Sequence, residues 1–148
     1  ARHWPGRVGN NIGDSVAVLG TTGTSIGRPV LLGGRVQSFA PRPVPVPRLV
    51  TVAEARTAKG GTLDAALVQV TNAKVVDTAT VAPDLRVTFS EAADDADRAT
   101  ALFDQLLQAP ANIFTAGRSI TVRGVLVPRG DGTWTIKPRN GSDLTLGN

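Results

Sequence analysis

The chain has 148 residues, neither cysteine nor methionine, and a formal charge of +4 from 16 basic and 12 acidic residues. That length fits one domain with an appendage better than two full domains. The lack of cysteine excludes disulfides and thiolate chemistry, and with His3 as the single histidine the usual zinc ligand sets cannot form.

No stretch approaches the roughly 18 uninterrupted apolar residues of a membrane-spanning helix. The modest positive charge is compatible with a polyanionic partner without demanding one. Valine, threonine, glycine and proline are frequent and tyrosine is absent, a balance that suits short strands joined by tight turns. The first residue is Ala1 rather than Met. A signal peptide already removed would leave such an end, so we expect a protein that is secreted, extracellular or held in the cell envelope.

In chain order, residues 13–20 (GDSVAVLG) read as a strand, 21–27 as a turn, and 28–32 and 35–39 as further short strands. Residues 1–39 thus form a β-hairpin or small meander. Residues 40–48 (APRPVPVPR) hold four prolines in nine positions. That excludes helix and central strand and makes 40–50 a polyproline-type linker, or an equally weighted strap across the main domain. Thr51-Val52-Ala53-Glu54 has capping-box spacing and opens a helix of one or two turns that ends near Gly60-Gly61. Residues 63–76 read as a long strand with a bulge near Thr71-Asn72, where the alternation breaks. Residues 85–89 (LRVTF) place Leu85, Val87 and Phe89 inward and Arg86 and Thr88 outward.

Residues 91–109 predict a helix: Ala99, Leu102, Phe103, Leu106 and Leu107 recur at three- and four-residue spacing, acids cluster at the start, and Pro110 follows. Residues 117–128 and 134–137 read as two strands joined by an Asp131-Gly132 turn, with residues 143–146 pairing at an edge. Three strands, a helix and two strands give the order of a five-stranded OB-like barrel with its helix between strands three and four. The expected fold is mainly β: a hairpin over 1–39, a Pro-rich linker over 40–50 and the barrel over 51–148.

Residues 13–20 and 117–124 share the pattern G-x-S-β-x-V-x-G. The hairpin would then be a partial second barrel unit. A lone two-stranded hairpin is only marginally stable, so upstream chain, the main domain or a neighbouring subunit would have to complete it.

Residues 51–146 resemble OB-like domains of bacterial secreted proteins, including domains attached to extracellular nucleases. The resemblance rests on residues 67–73 (LVQVTNA), on Gly117-x-x-Ile120-Thr121-Val122-x-Gly124-Val125-Leu126, and on residues 132–139 (GTWTIKPR) with Ser142-Asp143-Leu144. It implies fold and export. It leaves the ligand open, because OB folds host oligonucleotide, oligosaccharide and protein partners.

No catalytic set emerges. Residues 23–27 (GTSIG) match a nucleophile elbow in letters only, since Arg28-Pro29 follows and no histidine lies downstream. Asp94, Asp95 and Asp97 lack the glycine and closing glutamate of a calcium loop. No Walker loop and no converging carboxylate pair are visible, and Asn140-Gly141-Ser142 is a sequon of low specificity. We therefore expect no enzyme, no cofactor and no metal. Trp134 shares parity with Ile136, which favours a core or barrel-end place, and would stack a base or sugar if exposed. Arg123, Arg129, Lys137 and Arg139 on the last hairpin would contact phosphates or form a solvated face.

The leading expectation is a non-catalytic structural module. It would self-assemble into a filament or larger complex with copies of itself or other secreted subunits, through inter-subunit β contacts. The alternative is an OB-fold binder of single-stranded nucleic acid or, less favoured, oligosaccharide, using Arg123, Arg129, Trp134, Lys137 and Arg139.

Overall fold

The computed structural model describes residues 14–25, 28–81, 83–92, 96–104 and 111–147. The chain divides into two compact units, residues 1–45 and 46–148.

In the first unit β1 (Asp14–Ser25) pairs antiparallel with β2 (Arg28–Pro41) as an isolated two-stranded sheet. The predicted short strands fuse into two long ones. The expected turn over 21–27 is strand as far as Ser25, because Thr21 to Thr24 are β-branched or small and find partners from Leu32 to Pro29. The separate strands over 28–32 and 35–39 are likewise one strand, kinked at Gly33, which takes the positive φ (62°) that glycine accepts without strain.

The second unit contains the short β3 (Arg48–Leu49), the helix α1 (Val52–Thr57), and strands β4 (Leu67–Val81), β5 (Asp84–Ser90), β6 (Ala99–Phe103), β7 (Ser119–Pro128), β8 (Trp134–Lys137) and β9 (Leu144–Leu146). Strands β4, β5, β6, β8 and β7 pair in that order, and the β4–β7 ladder closes the ring. All contacts in the ring are antiparallel except β6–β8. This closed five-stranded barrel is OB-like. β3 and β9 flank it on β4 and β7.

The core follows the alternation. Val68 and Val70 point inward, a bulge intervenes, and then Ala73 and Val75 do so. Asn72 takes φ 55° at that bulge, so one extra residue switches the parity of the buried side chains. Val87 and Phe89 on β5, Ala99, Ala101 and Phe103 on β6, and Ile120, Val122 and Leu126 on β7 complete the filling with Ile136.

One α-helix, α1, stands between β3 and β4. At six residues it cannot hold by propensity alone. The Thr51 hydroxyl accepts from the Glu54 amide (3.1 Å), and Glu54 accepts from the Thr51 amide (3.2 Å). Val52 and Ala55 are buried on one side of it. Thr51→Ala should cost about 1 kcal/mol, read as a lower midpoint in urea denaturation; an unchanged midpoint would show that burial alone holds the helix.

The predicted long helix over 91–109 is not formed where the chain is described. Ala99–Phe103 is a strand, paired with β5 on one side and β8 on the other. The pattern Ala-Thr-Ala-Leu-Phe satisfies period two as well as period 3.6, and pairing on both sides overrides helix propensity. Residues 105–110 and Asp94-Asp95 lie outside the described residues.

The repeated G-x-S-β-x-V-x-G pattern has a shared physical reason at its last glycine. A Cβ on Gly124 would lie 2.4 Å from the Lys137 carbonyl oxygen. One on Gly20 would lie 3.0 Å from that of Leu32. At Gly124 two paired backbones come too close for a side chain, and at Gly20 the approach is tight enough that a neighbour would have to give by a few tenths of an ångström.

Candidate functional site

Two surfaces stand out, one on each unit. The first is the hairpin. None of its described residues is buried. Val16, Val18, Leu19, Leu31, Leu32, Val36 and Phe39 are between 46% and 74% exposed. Val18 lies opposite Val36 and shares its face with Val16, whereas Leu19, opposite Arg35, points to the other face, as Phe39 does by its parity with Arg35. Apolar side chains thus occupy both faces of the ribbon, and none of its described side chains is buried. Among the described residues no third strand pairs with either outer edge of this sheet.

The second surface is a cleft of about 330 Å³ on the barrel. Arg86 and Thr88 on β5 face outward, Thr100 lies opposite Thr88 on β6, and Arg98 precedes β6 with the outward parity. Arg56 reaches the cleft from α1, and Arg129 comes from the turn after β7. Thr133 and Trp134 close it. The turn is held by Asp131, whose carboxylate accepts from the Thr133 amide (2.9 Å) and hydroxyl. These bonds, with Arg129 nearby, hold the Asp131 carboxyl below its ordinary value.

Trp134 is half-buried, packs against the core and also lines the cleft. Its indole N–H donates to Asp64 (3.0 Å). Its six-membered ring lies over Gly61, where a Cβ would sit 3.9 Å away. What the ring offers the cleft is therefore apolar surface rather than a hydrogen bond.

Of the five residues read from sequence as binders, Arg129 and Trp134 meet in this cleft. Arg123 lies opposite Gln69 on β7, with a buried Nε that has no hydrogen-bond partner among the described residues. Lys137 lies opposite Val125. Arg139 lies at the surface but is already engaged: its Nε and Nη2 donate to the two carboxylate oxygens of Asp143 (2.9 and 2.8 Å), and its amide adds a third bond (2.9 Å). Asp143 is 2% exposed. Burial pushes its carboxyl up, but the Arg139 side chain and amide, with the charges of Arg139 and Arg123, hold it below the ordinary aspartate value.

Arg56, Arg86 and Arg98 did not emerge as binders from the sequence. The outward parity of Arg86 was legible in LRVTF, but Arg98 lay within the predicted helix, where strand parity has no meaning. Among the described residues no group of three or more His, Cys, Asp or Glu could hold a metal, and no helix is long and apolar enough to cross a membrane. Asn140 of the sequon accepts from the Ser142 amide (2.9 Å) and hydroxyl (2.6 Å). No protein-family model matches the chain, and no curated protein matches it significantly in sequence.

Proposed function

We propose that the chain is a non-catalytic interaction module that assembles with copies of itself through the hairpin of β1 and β2. The observation that carries this reading is the pair of apolar faces on a ribbon with no buried residue among its described side chains. Covering half-exposed side chains of this size yields on the order of 1 kcal/mol each. Seven of them give a sum comparable to the freedom lost on association, so side chains alone leave little surplus. Pairing along a strand edge adds backbone hydrogen bonds to that sum.

A second copy is the partner to which the proposal commits. Two such ribbons are self-complementary, since each has an open edge beside a Val16–Val18–Val36 face. A head-to-tail version of the contact does not close and yields a filament. The extracellular or envelope setting rests on the resemblance to OB-like domains of secreted proteins.

The absence of cysteine makes a single labelling site available. Leu19→Cys carrying a polarity-sensitive dye should shift its emission to the blue as the chain is concentrated, because a neighbour covers position 19. Water-like emission at every concentration would overturn the proposal.

A further inference from the structure

We propose that the arginine-lined cleft on β5 and β6 binds a single-stranded nucleic acid. This site is separate from the hairpin, and the argument for it does not depend on assembly. Of its four arginines, Arg56 has an ion pair with Asp97 (3.1 Å) and Arg129 has a loose one with Asp131 (3.9 Å). Arg86 and Arg98 have no ion pair among the described residues. Holding these like charges on one face of adjoining strands is unfavourable until an anion arrives.

The chemistry of the lining narrows the ligand. Every described lining residue is Arg, Thr, Ala or Trp. There is no carboxylate or side-chain amide, so hydrogen-bond donors dominate. A neutral sugar, whose hydroxyls must be met by acceptors as well as donors, is poorly served there. A phosphodiester chain presents only acceptors, and guanidinium groups with threonine hydroxyls are the donors that position phosphates. Trp134 completes the match. Its N–H is already spent on Asp64, which leaves an apolar ring for stacking, and every base has a π-face to offer. A single strand is favoured because its bases are free to reach that ring.

The test is fluorescence anisotropy of a labelled short oligothymidylate with the full chain, at a series of salt concentrations. Binding should weaken as salt rises. Arg86→Ala and Arg98→Ala should each make the plot of log affinity against log salt shallower by about 1. Lys74→Ala, which removes the same charge from β4 outside the cleft, should leave both affinity and slope unchanged. Arg86→Gln and Arg98→Gln keep the aliphatic stems and should match the alanine variants, separating lost charge from lost packing. Trp134→Phe, which keeps a ring, should retain more affinity than Trp134→Leu. Absence of binding, or equal weakening by Lys74→Ala, would overturn the proposal. So would displacement of the oligonucleotide by dextran sulfate that it cannot itself reverse, which would assign the cleft to sulfated polysaccharide.

Discussion

Gly124→Ala should destabilise the barrel by about 3 kcal/mol, at the upper end of what overpacking costs. The new methyl group would lie 2.4 Å from the Lys137 carbonyl oxygen, 2.6 Å from its carbon and 2.7 Å from Cγ2 of Ile136. Two of those three atoms are backbone, so no side-chain rotation relieves the contact. Separating β7 from β8 would disturb the ladder that carries Leu126 opposite Ile136, both buried. Gly124→Val should be worse. Gly141→Ala is the matched control, because a Cβ there meets nothing within 4 Å. Urea denaturation of the three variants checks this; a Gly124→Ala midpoint equal to that of Gly141→Ala would contradict the close approach of the two strands.

Arg139→Ala should cost about 2 kcal/mol, because it leaves the buried Asp143 carboxylate without its charged donor, although Arg139 itself is exposed. Asp143 would keep the Arg139 amide but lose both guanidinium bonds while staying buried. The lost groups matter because β9 follows Asp143 directly and pairs Leu144 with Val122 and Leu146 with Ile120. The pH dependence has a definite sign. The carboxyl of Asp143 is held below its ordinary value in the folded chain, so the unfolded chain binds its proton first. The stabilisation is full above the ordinary aspartate value and is lost as the pH falls through the lowered one. Asp143→Asn should therefore be less stable than the parent at neutral pH and show a flatter loss of stability in acid. Parallel acid limbs for the two proteins would contradict the assignment.

Sequence reasoning reached the barrel because its strands obey period two and its turns carry their own chemistry. Leu85, Val87 and Phe89 faced inward as their alternation required, and the bulge at Thr71-Asn72 was visible as a break in that alternation. The Thr51–Glu54 capping box was legible because it is a local pairing within four residues. The segment 99–103 was misread because its alanines fit both periods, and only its partners on β5 and β8 decide between them. Those partners are non-local, so no window of sequence contains them.

The cleft was half legible for the same reason. Arg129 and Trp134 were singled out because they sit close together on one hairpin. Arg56 comes from α1, Arg86 from β5 and Arg98 from just before β6, and only closure of the barrel brings them to one face. Arg139 shows the opposite failure. It looked free in the sequence, but the 3-10 turn at Gly141–Asp143 folds Asp143 back beneath it.

The account rests most heavily on the hairpin being covered by a second copy of the chain. Light scattering of the full chain across a concentration series tests this directly, alongside a variant carrying Val18→Lys and Val36→Lys. These two residues face each other and are exposed in the isolated unit, so the substitutions place like charges on the proposed contact without touching the barrel core. The account predicts a mass that grows with concentration for the parent and stays monomeric for the variant. A parent that remains monomeric throughout, or a variant that assembles as the parent does, would contradict it.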